Sequence, residues 1–364
     1  METSKAASRT GSPPESTVDG PGLRFGALLP KLGLSLLIAA AFTWLLRRGG
    51  LPILPRPEAF ASVVWWTLPV HVALVLAYTA FRTYRWIYLL LPVAPELSRR
   101  RALGVALVGL AAVMFAPLRL GEVVRPWLVS RDRKVSFTQA TGTVAAERIV
   151  DGLTITLLMV ASLPFSVPLS PLPSRVGKLS LPVAAVPGAA YGMLAVFSVA
   201  LSAMTLFYFR RDDAIRIIHA VFGRVSGELS GWITGKVEKF ADGLKFLPSG
   251  AHARPFVRDT LAYWLLNVIS QWVLLRGSGT HATVFQACVT LGATGLGVLL
   301  PSGPGFFGTF QLSVYCGLAM FFGESVVLSS GAAFAFLGYV TQLGVNVVAA
   351  VIGYALLNAP RESR

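Results

Sequence analysis

The stretch Pro117-Leu118-Arg119-Leu120-Gly121-Glu122-Val123-Val124-Arg125-Pro126 decides how this chain folds, because it interrupts an apolar run with two arginines and a carboxylate. Each such charge costs roughly 2.5–3.5 kcal/mol at the centre of a membrane-spanning helix, by insertion scales. A membrane protein keeps Arg119, Glu122 and Arg125 together when they have partners or a ligand. This cluster is the strongest indication of function in the sequence.

The composition is that of a polytopic membrane protein. Of 364 residues, 54% are hydrophobic and 13% are charged, whereas soluble domains carry about 25% charged residues. Several apolar stretches approach the roughly 20 residues that cross a bilayer as a helix. The formal net charge is +15, and most basic residues lie in short loops, where they set orientation. We therefore expect contacts with anionic lipid headgroups and none with nucleic acid.

Neither a metal nor a cofactor is expected. The two cysteines lie in apolar segments, the four histidines are scattered, and no HxxH or HExxH pair occurs. The GxxxxGK[ST] motif of ATP sites is also absent from the sequence. Transport by such a chain would run downhill or be coupled to an ion gradient.

Hydropathy and charge divide the chain into a disordered cytoplasmic tail at 1–26, a single membrane domain at 27–357 and a short cytoplasmic tail at 358–364. Residues 210–254 form the longest polar stretch of the membrane domain, and their many basic residues place them in the cytoplasm. Apolar residues recur there near the helical period. This predicts an amphipathic helix, either on the inner leaflet or packed on the protein's own cytoplasmic face.

The charges that flank two apolar segments indicate that these segments do not cross the membrane. Basic residues flank residues 102–130 on both sides, so this segment must enter the membrane and return, with its tip at Pro117–Pro126. Residues 282–322 return in the same way from the outer side, with a tip at Pro301–Gly308. Each half then has two spans, a hairpin and a further span, in opposite orientations. The alternative is eight simple spans.

The predicted fold class is therefore an all-α polytopic membrane protein with about six full spans, two re-entrant helical hairpins and an inverted-topology repeat. The predicted full spans are 27–46, 59–81, 136–164, 183–209, 256–275 and 326–357. Non-helical backbone at membrane depth is tolerated only inside protein or beside a wet cavity, so the tips should meet near the midplane and act as gates. The predicted gate residues are Pro117, Gly121, Pro126, Pro301, Gly303, Pro304, Gly305 and Gly308.

Two carboxylates add to the charge cluster. Glu147 and Asp151 are four residues apart on one predicted helix, so they point the same way and need a cation. The candidates are Arg119, Arg125, Arg148 or a cationic ligand. The guanidinium groups also suit a lipid phosphate. A buried ion network that fixes the hairpin against this helix is an equally weighted interpretation, and the two are compatible.

Other polar residues within the spans receive a structural interpretation. Arg82 and Arg85-Trp86 are interpreted as an interfacial anchor at the inner end of the second span. A further set is expected to form hydrogen bonds between helices rather than to line a cavity. This set comprises Asn267, Ser270, Gln271, Gln342 and Asn346.

These motifs resemble the lysylphosphatidylglycerol synthase transmembrane family, also called flippase-like membrane proteins. The matching motifs, over about 27–357, are Arg85-Trp86, Pro117-x-Arg119-x-Gly121-Glu122-x-x-Arg125-Pro126, Glu147-Arg148-x-x-Asp151 and Pro301-x-Gly303-Pro304-Gly305-x-x-Gly308. The resemblance implies a membrane domain that moves lipids between leaflets or assists lipid-modifying enzymes. The headgroup-binding residues would be Arg85, Arg119, Glu122, Arg125, Glu147, Arg148 and Asp151.

The expected function is that of a flippase-like transporter in the plasma membrane, with both termini cytoplasmic. Its substrate would be an anionic or aminoacylated phospholipid, or a glycolipid. Lysyltransferase activity is not expected, because no synthase domain follows the last span. The alternatives are a lipid-phosphate hydrolase and an accessory scaffold for a separately encoded lipid-modifying transferase.

Overall fold

The computed structural model describes residues 25–116, 120–131, 134–222, 226–300 and 302–359. Its helices are α1 (Phe25–Arg48), α2 (Thr67–Leu90), α3 (Arg99–Phe115), α4 (Gly121–Ser130), α5 (Phe137–Ser162), α6 (Ala185–Phe209), α7 (Arg211–Phe222), α8 (Gly227–Asp242), α9 (Gly250–Gly277), α10 (Val284–Gly297), α11 (Thr309–Ala319), α12 (Glu324–Leu328) and α13 (Ser330–Asn358). Strands β1 (Arg175–Val176) and β2 (Leu179–Ser180) pair antiparallel in the loop after α5. The predicted residues Pro117, Arg119 and Pro301, and most of both tails, lie outside the described residues.

The chain is an all-α protein of membrane type. Three segments are long and apolar enough to cross a membrane: Pro30–Arg48, Ala185–Phe209 and Glu324–Asn358. Only 11%, 6% and 22% of the residues in the most apolar part of each segment are buried, so these segments form the periphery of the protein. Helices α2, α5 and α9 have 24, 26 and 28 residues, which is also long enough, but they carry charged residues. The number of full spans stays a prediction.

Helix α2 starts and ends later than the predicted second span. A short 3-10 helix at Pro57–Phe60 precedes it, and α2 continues through Arg82, Arg85 and Trp86 to Leu90. The interpretation of these residues as an interfacial anchor is therefore wrong. The physical reason is that Arg85 is paired with buried carboxylates, so its charge does not have to reach the membrane surface.

The first predicted hairpin is a pair of antiparallel helices. Gly121 at the start of α4 packs against Ala112 and Val113 near the end of α3, and Arg125 crosses Gly109 one turn earlier in α3. With 10 residues, α4 is about 15 Å long, roughly half the hydrocarbon thickness of a bilayer. The helical hairpin is thus observed, while its insertion from the cytoplasmic side stays a prediction.

The second hairpin has the same design. Gly297 of α10 packs against Ser313 of α11, and Gly317 of α11 packs against Thr290 of α10, so the arms are antiparallel. The arms have 14 and 11 residues, and neither is long enough to cross a bilayer alone.

The tip of the second hairpin is built on glycine. Gly305 and Gly308 have φ angles of 71° and 87°, a region that glycine enters without steric cost. The tip is also tightly packed, since a Cβ at Gly308 would lie 2.3 Å from Cβ of Phe42 in α1 and a Cβ at Gly305 would lie 3.9 Å from Cε of Met114 in α3. The second tip therefore contacts α1 and the end of the first hairpin's first arm.

Helices of the two halves pair in the way that an inverted repeat requires. Helices α2 and α9, which correspond to the second predicted span of each half, run antiparallel, with Thr67 of α2 against Gly277 of α9. The last helix of each half lies antiparallel on the first arm of the other half's hairpin, so that α5 packs on α10 and α13 packs on α3. This exchange supports the predicted repeat.

The predicted amphipathic helix at 210–254 is instead two helices, α7 and α8, joined by a hydrogen bond of 2.9 Å between His219 Nδ1 and Ser230 Oγ. The end of α8 packs on the start of α5, where Gln139 Nε2 donates to Asp242 Oδ2 at 3.3 Å. The sequence left two positions open for this segment, on the inner leaflet or packed on the protein itself. The end of α8 packs on the protein itself. Trp232, earlier in α8, remains exposed.

The close approach of α3 and α4 leaves no room for a side chain at Gly121. An added Cβ would lie 2.1 Å from the carbonyl carbon and oxygen of Ala112. Backbone atoms cannot rotate away, so Gly121→Ala should force the arms apart and destabilise the protein by about 1–3 kcal/mol. We expect a lower melting temperature of the purified protein in detergent.

The matched control is Gly192→Ala in α6, where an added Cβ would meet nothing within 4 Å. This variant should melt at or slightly above the wild-type temperature, since alanine favours a helix more than glycine does. Equal melting temperatures for Gly121→Ala and the wild type would contradict the described packing of α3 on α4.

Candidate functional site

Six charged side chains of α2, α4 and α5 form one connected network, which comprises Arg85, Glu122, Arg125, Glu147, Arg148 and Asp151. Glu147 is its centre and is 0% exposed. Its Oε2 accepts a hydrogen bond of 2.7 Å from Arg125 Nη1, and its Oε1 accepts bonds of 2.7 Å from Arg148 Nη2 and 3.2 Å from Arg85 Nη2. One carboxylate therefore joins three helices.

Asp151 is held chiefly by Arg85. Arg85 Nη2 donates to both carboxylate oxygens, at 2.6 and 2.7 Å. Arg85 Nη1 donates to Thr260 Oγ1 of α9 at 3.1 Å, and the guanidinium lies 4.9 Å from the ring of Tyr263. Arg148 Nη2 approaches Asp151 Oδ2 at 3.3 Å. Arg85 and Arg148 thus bridge the two carboxylates that the sequence predicted to share a cation.

The sequence-based list of cations contained Arg125 and Arg148 but not Arg85. Arg85 is predicted as a site residue only through the family resemblance, because reasoning from the residues places it at a membrane surface, beyond the end of the second span. The signal that would have found it is the spacing of Arg82 and Arg85: a helix that continues past both puts them three residues apart on one side.

Trp86 positions the arginine of the first hairpin. Its side chain is fully buried, its Nε1 donates to Thr143 Oγ1 at 3.1 Å, and the Arg125 guanidinium lies 5.2 Å from its ring. Such cation–π contacts contribute about 0.5–2 kcal/mol. Since Gly109 leaves space for the Arg125 stem, the guanidinium passes between the hairpin arms to reach Glu147.

A cavity of about 630 Å³ adjoins this network. Both hairpins contribute to its wall, through Met114 and Glu122 of the first and Gly305 and Phe306 of the second. Phe197 of the peripheral helix α6 also lines it. The cavity therefore lies at the contact between the halves, and a peripheral helix forms part of its wall.

The network is only partly accessible from the cavity. Glu122, Arg148 and Asp151 line it, whereas Arg85 and Glu147 lie behind the wall. The Arg148 and Glu122 side chains are 29% and 23% exposed, with Arg148 Nε and Glu122 Oε2 3.9 Å apart. Residues of the first group can touch a ligand, and those of the second hold the first group in place.

Arg82 is a cavity residue that sequence reasoning missed. It lines the cavity, and its guanidinium lies 5.9 Å from the Tyr263 ring. It forms no ion pair with any residue in the described part of the chain. With Arg82, four described arginines face three carboxylates, so this region carries one positive charge in excess.

Uncharged polar side chains line the cavity further along α9 and α13. They include Trp264, Asn267, Gln271, Gln342 and Asn346. Four of the five residues expected to join helices line the cavity instead or as well, because α9 and α13 turn these faces toward the space between the halves. The expectation is wrong for Asn267, Gln271 and Asn346, whereas Gln342 lines the cavity and also joins two helices. Only Ser270 lies elsewhere, with its Oγ 2.8 Å from His71 Nδ1 on α2. Gln342 also accepts a hydrogen bond of 2.7 Å from Tyr78 Oη.

The predicted gate residues fall into two groups. Pro126 and Gly305 line the cavity, while Gly121 is enclosed within the first hairpin and Gly303 packs on Ala39 of α1. Pro304 begins the short 3-10 helix Pro304–Phe306 at the second tip. Within the described residues, no group of three His, Cys, Asp or Glu is placed to hold a metal ion.

Comparison with known proteins identifies one family. The family model described as lysylphosphatidylglycerol synthase TM region matches residues 32–350, which is most of the chain. Searches among curated proteins and among solved structures gave no match.

Proposed function

The chain belongs to the lysylphosphatidylglycerol synthase transmembrane family, and from that premise we propose that it moves lipid headgroups between the leaflets of the plasma membrane. A membrane, lipid-related role follows from the family. The observation that supports transport is the cavity, which lies between the two hairpins and has arginines, two carboxylates and uncharged polar groups in an otherwise apolar wall. A headgroup needs such a polar environment, since polar groups without partners are costly in hydrocarbon.

The partly exposed cations are the groups that contact the headgroup in this proposal. Arg82 and Arg148 line the cavity and present guanidinium groups, which bind phosphate oxygens in a fork geometry. Arg125, Glu147 and Arg85 hold this wall in place. The acyl tails stay in the lipid while the headgroup crosses, and both chain termini lie in the cytoplasm.

The two hairpins are the gates in this proposal. The second tip contacts both α1 and Met114 of α3 beside the cavity, and its glycines at positive φ allow a bend. Access would alternate as this contact opens and as the halves move against each other, in the manner of transporters with inverted repeats.

A hydrolase function has less support. Lipid-phosphate hydrolysis needs a nucleophile or a general acid and base close to the phosphate. The described residues that line the cavity include no serine, cysteine or histidine. Of the carboxylates in the wall, Asp151 is bound through both oxygens by Arg85 and Glu122 lies beside Arg148. Release of phosphate from a lipid diphosphate by the purified protein would reverse this ranking.

The test of transport is to fill the cavity. Thr294 of α10 lines it, and Thr294→Phe would replace open space with a ring. We expect exchange of fluorescent lipid between the leaflets of proteoliposomes to fall to the protein-free rate, with the melting temperature little changed. Val199→Phe on α6, where the side chain is 68% exposed, adds the same ring outside the cavity and should leave exchange intact. Equal exchange rates in both variants would contradict transport through the cavity. Co-purification of a transferase with a protein that exchanges no lipid would favour the alternative function, an accessory scaffold for a lipid-modifying transferase.

A further inference from the structure

We propose that the headgroup carried through this cavity has one negative charge and hydroxyl groups, and is not a cationic aminoacylated headgroup. This inference rests on the proposed function and names its substrate class. Two independent features support it: the excess of one positive charge beside the cavity, and a set of unpartnered polar atoms in its uncharged part.

Two of the three carboxylates of the network are already bound by arginines. Glu147 accepts hydrogen bonds from three arginines, and Asp151 uses both oxygens on Arg85. Glu122 lies 3.9 Å from Arg148, and its Oε2 accepts no hydrogen bond from the described part of the chain. An ammonium group that enters the cavity could therefore bind a carboxylate without displacing an arginine only at Glu122. It would also raise a local charge that is already positive.

Arg82 is the charge that lacks a counterpart. Its guanidinium contacts the Tyr263 ring and pairs with no carboxylate in the described ranges. A single phosphodiester anion next to Arg82 would bring the charge of the site to zero. A charge-assisted hydrogen bond of this kind contributes about 1.5–3 kcal/mol, roughly a tenfold or greater gain in affinity.

The uncharged part of the cavity wall contains three buried polar atoms that have no hydrogen-bond partner: Trp264 Nε1, Asn267 Oδ1 and Asn346 Oδ1. Their side chains line the cavity, and the three residues are 6%, 7% and 2% exposed. One of the atoms is a donor and two are acceptors. A hydroxyl group both donates and accepts, whereas an ammonium group only donates and would leave the indole N–H without a partner.

The spacing of the two regions fits one headgroup. Tyr263, which contacts Arg82, is one helical turn from Asn267 on α9, a distance of about 6 Å along the axis. A phosphate at Arg82 would thus place the hydroxyls of an attached polyol beside the unpartnered amides. The cavity of about 630 Å³ is within the range of small-ligand sites.

Three lipids separate the two features in one binding experiment. Phosphatidylglycerol has one negative charge and two headgroup hydroxyls, phosphatidylmethanol has the same charge without them, and lysylphosphatidylglycerol is cationic. We would measure dissociation constants in detergent micelles by competition with fluorescent phosphatidylglycerol. Wild-type protein should bind phosphatidylglycerol about tenfold tighter than lysylphosphatidylglycerol, and also tighter than phosphatidylmethanol.

Variants assign each preference to its residues. Arg82→Gln should weaken the binding of both anionic lipids about tenfold and remove the preference for them over the cationic lipid. The control is Arg254→Gln, which replaces an exposed arginine at the start of α9 and should change none of the three affinities. The double variant Asn267→Leu/Asn346→Leu keeps side-chain size and should abolish only the preference for phosphatidylglycerol over phosphatidylmethanol.

Equal or tighter binding of lysylphosphatidylglycerol by the wild type would overturn the proposal even if no variant folds. Unchanged affinity ratios in Arg82→Gln, or in the double amide variant, would also overturn it. Failure of the proposed function looks different, because protein that binds phosphatidylglycerol as described but exchanges no lipid is not a transporter. Preferential exchange of lysylphosphatidylglycerol would instead leave transport intact and contradict the substrate class.

Discussion

Glu147→Gln should lower the free energy of unfolding by about 3–5 kcal/mol, the usual effect of removing one partner from a buried ion network. Glu147 is fully buried and accepts hydrogen bonds from Arg85, Arg125 and Arg148. Glutamine keeps the shape but has one oxygen, and its NH2 group would face a guanidinium donor. Three arginines would then share Asp151 and Glu122. We expect a large fall in melting temperature in detergent.

Glu122→Gln is the matched control, since it makes the same chemical change at another carboxylate of the network. Glu122 is 23% exposed, and its contact with Arg148 is 3.9 Å long. A partly exposed pair contributes about 0–1 kcal/mol, so this variant should melt close to the wild type. If both variants lost the same stability, Glu147 would not be the centre of the network.

This pair of variants also separates structure from transport. Glu122 lines the cavity, so Glu122→Gln should change lipid exchange directly, by changing a group that the headgroup can touch. Glu147 lies behind the wall, so Glu147→Gln should change lipid exchange only by lowering the amount of folded protein. The ion network and the proposed headgroup site are neighbours that share Arg148.

The sequence predicted the hairpins because their signal is local. Basic residues on both sides of one apolar segment predict that it turns back, whatever the segment packs against. Helices α3 and α4 are antiparallel as such a hairpin requires, while its re-entry into the membrane stays a prediction. The charged motifs of α4 and α5 were likewise predicted to belong together, and Arg125 does bind Glu147 at 2.7 Å.

The sequence did not predict what depends on the partner across the cavity. Hydropathy ended the second span before Arg82, because the carboxylates that compensate Arg85 are more than sixty positions away in the sequence. The polar faces of α9 and α13 were visible from spacing, but spacing does not show whether such a face meets another helix or a cavity. Asn267 and Asn346 were therefore assigned to helix contacts although they line a cavity.

Arg85→Met should be as destabilising as Glu147→Gln, because Arg85 is fully buried and binds both oxygens of Asp151. Among the described residues, its removal leaves Asp151 with the 3.3 Å contact to Arg148 alone, again a loss of about 3–5 kcal/mol. The second substitution Asp151→Leu removes the uncompensated carboxylate. Since apolar residues can replace a buried ion pair at little cost, Arg85→Met/Asp151→Leu should be more stable than Arg85→Met alone.

The control for this rescue is Arg85→Met/Glu122→Leu. It restores the same net charge, but Glu122 contacts Arg148 and not Arg85, so it should recover little stability. The coupling energy from a double-mutant cycle should be about 0.5–3 kcal/mol for Arg85 with Asp151 and near zero for Arg85 with Glu122. Equal rescue by the two second substitutions would show that net charge, and not the Arg85–Asp151 contact, stabilises this wall.

The same two double variants bear on the headgroup. Arg85→Met alone cancels the excess positive charge, whereas either double variant restores it, because one cation and one carboxylate are then missing. The preference for an anionic lipid should consequently weaken in Arg85→Met and return in both double variants, as far as each remains folded. Asp151→Leu should thus restore both stability and lipid preference, whereas Glu122→Leu should restore lipid preference alone. The reason is that stability depends on the Arg85–Asp151 contact, and lipid preference depends on the net charge at the cavity.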